Sequence, residues 1–124
     1  MSKPNQRVVV LGASDRPDKY SNKAFHLLRE HGHDVVPVNR GVESIEGMPV
    51  LRDIGDVTGH VDTLTMYVNK DVSTLLTDKI LKLKPDRVIF NPGSMNAALQ
   101  LQLDEADIPW EEACTLVLLR SGQF

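Results

Sequence analysis

A short loop of small residues joins an apolar run to a helix-like segment near the start of the chain. Gly12, Ala13 and Ser14 begin this loop, directly after the apolar residues Val8–Leu11. Because glycine has no Cβ, it lets the backbone turn tightly and approach a ligand closely. The free N–H groups and the positive dipole end at the start of a helix favour an anion. The loop therefore predicts a phosphate site, and its chemistry suits a pyrophosphate.

Basic and hydroxyl side chains around the loop add to this prediction. Arg16 and Lys23 are cationic, and Ser14 and Ser21 can donate hydrogen bonds to a phosphate. The stretch reads G-A-S-D-R-P, however, so it lacks the second and third glycines of G-x-G-x-x-G, and no G-K-[ST] follows. A second interpretation therefore stays open, in which Gly12 only ends a strand and the basic residues are solvated.

The end of the second apolar run helps to choose between phosphate ligands. An NAD site usually has an Asp or Glu at this point for the ribose 2′-hydroxyl. This chain instead has Pro37, Val38, Asn39 and Arg40. Arg40 suits a phosphate on the ribose, either the 2′-phosphate of NADP or the 3′-phosphate of coenzyme A. The alternative is a surface arginine without a ligand.

Apolar runs that alternate with helix-like segments would position these loops. Strands are predicted at Arg7–Leu11, Asp34–Val38, Asp62–Val68, Arg87–Phe90 and Ile108–Cys114. Pro37 has no backbone donor, so the second strand is expected to lie at an edge or to leave the ladder. Five short strands separated by helices predict an α/β, three-layer, Rossmann-like doubly wound fold, with a mainly parallel five-stranded sheet and helices on both faces.

Capping residues and prolines set the bounds of the predicted helices. The helices are predicted over Ser21–His31 with Ser21 as N-cap, from Asp71 to Pro85, from Ser94 as N-cap to about Glu105, and over Thr115–Arg120. The connector Asn39–Arg52 is expected to hold a turn or a short extra strand pair. In such a fold the ligand sites lie beyond the carboxyl ends of the strands.

Composition excludes several classes of protein. The 124 residues suit one compact domain, 1–124, and 41% hydrophobic with 25% charged residues is ordinary for a globular protein. The net charge of −3 argues against nucleic-acid binding. No apolar run approaches the roughly 20 residues that span a bilayer, so no membrane partner is expected. The single cysteine, Cys114, favours a reducing cytoplasm.

An ordered set of motifs resembles a known family. GASDRPDKYSNKAFHLLREHGHDVVPVN is similar to the start of the small CoA-binding domain proteins, and the resemblance continues through SIEGMPVLRDIGDVTGHVDTLTMYVN, RVIFNPGSMN and EEAC. These proteins are single Rossmann-like domains related to the N-terminal CoA-binding domain of the succinyl-CoA synthetase α subunit. The resemblance covers nearly the whole chain.

The resemblance implies that coenzyme A or an acyl-CoA binds across the strand ends. The pyrophosphate would meet Gly12, Ala13 and Ser14, with Arg16, Tyr20, Ser21 and Lys23 nearby. The adenosine would border Pro37, Val38 and Asn39, its 3′-phosphate would meet Arg40, and Val68 and Asn69 would form the neighbouring wall. Pro92, Gly93 and Ser94 would lie toward the pantetheine. Relatives often have a glutamine where this chain has Asn91.

No residue is predicted to be catalytic. Ser94 is interpreted as a helix cap and Cys114 as a structural thiol, and His31 and His33 are interpreted as turn residues rather than metal ligands. The predicted function is therefore binding of coenzyme A without autonomous catalysis. Two alternatives stay open, an NADP-binding reductase-like domain and a ligand-free Rossmann-like interaction module. A homodimer or a partner protein is also expected.

Overall fold

A five-stranded parallel sheet forms the centre of the computed structural model, which describes residues 5–124. The strands of the chain are β1 (Arg7–Leu11), β2 (Asp34–Val38), β3 (Ser44–Ile45), β4 (Met48–Pro49), β5 (Thr63–Met66), β6 (Arg87–Phe90) and β7 (Trp110–Glu112). The central sheet has the order β2-β1-β5-β6-β7, and each neighbouring pair is parallel. Strands β1, β5 and β6 are almost wholly buried, as the apolar runs of β1 and β6 predict, and β5 alternates buried threonines with Leu64 and Met66.

Helices cover both faces of the sheet. They are α1 (Tyr20–Glu30), α2 (Lys70–Leu75), α3 (Thr77–Leu83), α4 (Ala97–Glu105) and α5 (Thr115–Arg120). Side chains alternate along β1, so Val8 and Val10 pack in one core with α1 and α5, whereas Val9 and Leu11 pack in another with α3 and α4. The predicted three-layer, doubly wound α/β fold is therefore confirmed.

Strand β2 lies at one edge of the sheet and contains Pro37, as predicted for a residue without a backbone donor. The chain returns along its outer side after a short antiparallel hairpin of β3 and β4, which confirms the extra strand pair expected in the connector. Leu51 then pairs with this edge, since its N–H donates to Pro37 O (3.0 Å) and its carbonyl accepts from Asn39 N (2.9 Å). The connector is thereby fixed beside the end of β2.

Three predicted helix starts were wrong. Lys19 rather than Ser21 is the N-cap residue of α1, and Ser21 lies buried in the first turn. Helix α2 begins one residue before Asp71, because the Asn69 side chain accepts from Val72 N (3.0 Å). Asn96 rather than Ser94 caps α4. The carboxamide of Asn96 accepts from Leu99 N (3.1 Å), whereas the Ser94 hydroxyl donates to Asn91 O (2.7 Å).

The single helix predicted from Asp71 to Pro85 is two helices, which are separated at Leu76. Hydroxyl groups near the break compete for backbone carbonyls, because Thr74 Oγ1 donates to Lys70 O (2.8 Å) and Thr77 Oγ1 donates to Ser73 O (3.1 Å). Such back-bonding bends helices. Within residues 5–124, no helix combines the length and apolarity that crossing a bilayer requires.

Candidate functional site

A cleft of about 680 Å³ opens at the carboxyl ends of β1, β2 and β5. This is the edge at which doubly wound sheets bind ligands, and its volume falls in the range of roughly 300–1,000 Å³ that is usual for small-molecule sites. Five of the predicted site residues line it: Gly12, Val38, Asn39, Arg40 and Val68. The others on its wall, which sequence reasoning missed, include Arg52, Asp53, Ile54, Val72, Leu75, Leu76 and Lys79.

Gly12 forms part of the base of the cleft and is required there for two reasons. Its φ is +93°, in the left-handed region that residues with a side chain rarely adopt. A Cβ at this position would also lie 2.9 Å from the backbone carbon and oxygen of Tyr67 and 3.0 Å from Val68 Cγ1. The end of β1 therefore packs against the residues after β5 more closely than any side chain allows.

The first two amides of the loop are engaged within the protein. Gly12 N and Ala13 N both donate to the carbonyl of Val38, at 2.9 and 3.1 Å. The sequence suggested that these two N–H groups are free to bind a phosphate, and that expectation is wrong. Within residues 5–124, the N–H groups of Ser14, Tyr20 and Ser21 have no acceptor. The free donors of this junction thus begin at Ser14 and continue in the first turn of α1.

Two side-chain carboxamides fix the carbonyls of the same loop. Asn39 Nδ2 donates to Ala13 O (2.6 Å), and Asn22 Nδ2 donates to Ser14 O (2.9 Å). Asn39 is itself held, because its Oδ1 accepts from Gly41 N (2.8 Å). Asn22 is buried in the first turn of α1 and was missed in the sequence, where its one signal is a carboxamide among the core residues of that helix. The loop is therefore held in a fixed backbone conformation.

Replacing Asn22 with leucine is expected to weaken the binding of a diphosphate ligand. The substitution leaves the Ser14 carbonyl without its donor, which costs about 1–3 kcal/mol for a buried group and frees the loop. We expect the affinity for coenzyme A, measured by isothermal titration calorimetry, to fall by about tenfold, which corresponds to about 1.4 kcal/mol. Adenosine 3′-monophosphate, which has no diphosphate, serves as the control ligand, and an equal loss for both ligands would contradict the loop's role.

Four predicted contacts lie near the loop but outside the cleft. Arg16, Tyr20 and Lys23 are exposed, and Ser21 is buried. Lys23 Nζ lies 5.5 Å from the centre of the Tyr20 ring, and Arg16 Nε lies 3.7 Å from an Asp18 oxygen. These side chains flank the start of α1, so they surround the free amides of the junction without lining the cleft.

Three cations and one carboxylate line the wall of the cleft. Arg40, Arg52 and Lys79 supply the positive charges, and Asp53 supplies the negative one. Lys79 Nζ lies 2.6 Å from Asp53 Oδ2, and Asp53 Oδ1 accepts from Gly55 N (2.7 Å). The hydrogen bond from Lys79, followed by that from Gly55, lowers the pKa of Asp53 from its ordinary value. Asp53 is therefore an anion at neutral pH.

The residues predicted for the pantetheine side do not line the cleft. Pro92 and Gly93 follow β6 and are exposed, whereas Ser94 is buried with its hydroxyl bonded to Asn91 O. Pro37 is buried within β2, and Asn69 is occupied as the cap of α2. The structure thus brings Val38, Asn39 and Arg40 together with Gly12, and it leaves Pro37, Asn69 and the residues after β6 outside this cavity.

A buried polar cluster lies at the carboxyl ends of β5 and β6. Asn91 Nδ2 donates to Thr65 Oγ1 (2.7 Å) and Met66 O (2.9 Å), and Asn91 Oδ1 accepts from Thr115 N (2.9 Å). Burial raises the pKa of the neighbouring Tyr67 hydroxyl to about 12, so Tyr67 stays neutral. Asn91 therefore ties β5, β6 and α5 together.

Three side chains of the kinds that bind metal ions, those of His60, Asp62 and Asp86, lie together at the amino ends of the strands, opposite the cleft. His60 Nε2 lies 3.0 Å from Asp86 Oδ2 and 3.5 Å from Asp62 Oδ1. Asp62 Oδ2 also accepts from Arg7 N (2.7 Å). These contacts join the start of β1 to the residues that precede β5 and β6.

Comparisons with known proteins agree with this architecture. The chain is 36% identical to a protein of known crystal structure described as uncharacterized, with a TM-score of 0.92 over 98% of this chain and 100% of that one. The dinucleotide-forming acetyl-coenzyme A synthetase 1 of Ca. Korarchaeum cryptofilum, solved with phosphate and ADP, is 21% identical with a TM-score of 0.67 over 83% of this chain and 24% of that one. The latter likeness shows the fold alone.

A curated relative and a family match complete the comparison. The chain is 25% identical over 63 residues to the uncharacterized protein YneT of Bacillus subtilis (strain 168), a match that covers 51% of this chain and 47% of YneT. The chain thus matches about half the length of that relative. The sequence pattern of the CoA binding domain matches residues 6–120, almost the entire chain. The protein therefore belongs to the CoA binding domain family.

Proposed function

We propose that this protein binds coenzyme A or an acyl-CoA in the cleft at the carboxyl ends of β1, β2 and β5. One observation supports the proposal above others. A chain of the CoA binding domain family has, at the ligand-binding edge of its sheet, a cleft with Gly12 at its base and three cations on its wall. A nucleotide with several phosphates is the ligand that suits this positive charge together with the free N–H groups at the neighbouring start of α1.

The polar and apolar parts of the site suit different parts of the ligand. In the proposed pose the diphosphate lies against Ser14 and the start of α1, where free N–H groups and the helix dipole favour an anion. The adenosine lies beside Val38 and Asn39. Val72 and Leu75 line the cleft and are 40% and 83% exposed, so an apolar face of the ligand would remove their surface from water.

The pantetheine arm is proposed to leave the cleft toward Pro92, Gly93 and Ser94. These residues follow β6, the strand beside β5, at the same edge of the sheet. Gly93 has a φ of +89° and no atom within 4 Å of a notional Cβ, so open space adjoins it. The arm and its thiol would then end near the surface, where another protein can reach an acyl group.

We further propose that the protein presents its ligand without catalysing a reaction by itself. The ionisable groups on the cleft wall are Arg40, Arg52, Lys79 and Asp53. A general base works best when its pKa lies near the working pH, and the bond from Lys79 lowers the pKa of Asp53 still further from that range. These groups suit binding of an anion better than proton transfer.

Titration of the protein with coenzyme A, acetyl-CoA, NADP and NAD tests the proposed function. We expect a thermal shift and a calorimetric signal that are selective for the two coenzyme A ligands. A ligand at 100 times its Kd adds about 2.7 kcal/mol to the free energy of unfolding. Selectivity for NADP would support the reductase-like alternative instead, and no shift with any of the four ligands would support an interaction module.

A further inference from the structure

Three separate segments bring cations to one side of the cleft. Arg40 follows β2, Arg52 precedes the short 3₁₀ helix Ile54–Asp56, and Lys79 lies on α3. Asp53 is the one acidic residue on the cleft wall. The wall therefore has a net charge of +2 from residues that are up to 39 positions apart in the sequence, a concentration that the overall charge of −3 does not suggest.

The single carboxylate on the cleft wall, that of Asp53, forms an ion pair with one of these cations, Lys79. Asp53 is held by Gly55 N and in turn holds Lys79 Nζ at 2.6 Å, so the lysine is positioned before any ligand arrives. Within residues 5–124, the side chains of Arg40 and Arg52 make no ion pair and no hydrogen bond. Two guanidinium groups at the cleft thus have all their donors available.

A phosphomonoester is complementary in charge and shape to these three cationic side chains. It has a charge of about −1.5 to −2 at pH 7 and three strong acceptor oxygens, whereas a ribose hydroxyl has no charge. Arginine binds phosphate through two parallel N–H bonds, and lysine adds a point charge. Two free arginines and one positioned lysine therefore match a terminal phosphate better than they match the uncharged edge of a base.

We propose that Arg40, Arg52 and Lys79 form a subsite for a phosphate on the ribose of the bound nucleotide, and that this subsite makes the protein select nucleotides phosphorylated at that position. The inference rests on the proposed function, because it places the adenosine end of coenzyme A in this cleft. It adds that Arg52 and Lys79, which come from the connector and from α3, share the recognition with Arg40.

A lysine on the same helix provides a matched control. Lys82 lies three residues after Lys79 on α3 and does not line the cleft, but lines a neighbouring cavity of about 380 Å³ to which Lys79 also contributes. Changing Lys82→Gln removes the same charge from the same helix as Lys79→Gln. The two variants therefore separate a local contact with a phosphate from a general change in the charge of the protein.

The test measures the Kd of coenzyme A and of 3′-dephospho-CoA by calorimetry for the unmodified protein, R52Q, K79Q and K82Q. We expect the unmodified protein to prefer coenzyme A by about tenfold or more, since a hydrogen bond to a charged group is strong. R52Q and K79Q should each reduce this preference by lowering the affinity for coenzyme A, with the affinity for 3′-dephospho-CoA unchanged. K82Q should retain the full preference.

Each contrary result has a distinct meaning. Equal affinities of the unmodified protein for the two ligands would overturn the subsite and leave the proposed function standing. A loss in K82Q as large as that in K79Q would overturn the subsite as well, because the effect would then be long-range charge. Binding of neither ligand would overturn both the subsite and the proposed function. Thermal midpoints of the variants without ligand show that each one is folded.

Discussion

Gly12→Ala is expected to destabilise the protein and to abolish its binding of coenzyme A. The positive φ of Gly12 alone costs a residue with a side chain about 1–3 kcal/mol. The new methyl group would also meet the Tyr67 backbone at 2.9 Å, where no flexible side chain can move aside. Relief of this contact must shift the residues after β5, including Val68 on the cleft wall. Urea unfolding and calorimetry measure the two losses.

Gly47→Ala is the matched control for this prediction. Gly47 has a φ of +81° in the turn between β3 and β4, but nothing lies within 4 Å of its notional Cβ. The Gly47→Ala variant should therefore lose only the stability that the positive φ costs an alanine, and it should keep its affinity for coenzyme A. Equal losses of stability in the two variants would show that the close approach to Tyr67 has no energetic weight.

Asn91→Leu is expected to cause the second large loss, of about 3 kcal/mol or more in the free energy of unfolding. Leucine has a similar size but cannot replace the three hydrogen bonds that Asn91 makes to Thr65, Met66 and Thr115. The Met66 carbonyl and the Thr115 N–H would each stay buried without their carboxamide partner, and each unsatisfied group costs about 1–3 kcal/mol. Chemical denaturation at constant pH measures the loss.

Gln102→Leu provides the comparison for Asn91, because it makes the same kind of exchange on the exposed side of α4. A surface substitution of this kind usually changes stability by less than about 0.5 kcal/mol. Should the two leucine variants unfold at the same denaturant concentration, the buried cluster would not be the tie between β5, β6 and α5 that its geometry indicates.

Strand positions were predictable because their signal is local. The bounds of β1, β2 and β6 agree with the apolar runs, and the last helix, Thr115–Arg120, was also predicted correctly. Strand β7 is shorter than predicted. Helix starts were harder, since Asn69 and Asn96 cap their helices where Asp71 and Ser94 were expected. Several polar residues near a helix start can each cap it, and packing decides between them.

The wall of the candidate site was only half predictable. Gly12 and Arg40 could be found because they lie one and two residues after strands whose carboxyl ends face the ligand. Arg52 and Lys79 reach the same cleft only because the connector returns along β2 and the predicted helix breaks at Leu76. No periodicity in the sequence encodes that return or that break. Contacts between residues that are far apart in the chain, such as those that bring Arg52 and Lys79 to the cleft, could therefore not be predicted from the sequence.

The outer strands of the sheet discourage growth by addition of a strand from another molecule. At β2, Leu51 already occupies the Pro37 carbonyl, and proline offers no donor of its own. At the opposite border, β7 is only three residues long and two of them, Glu111 and Glu112, are acidic. Short, charged or proline-containing borders resist edge-to-edge aggregation. A continuous intermolecular sheet is accordingly an unfavourable way for two copies of this protein to associate.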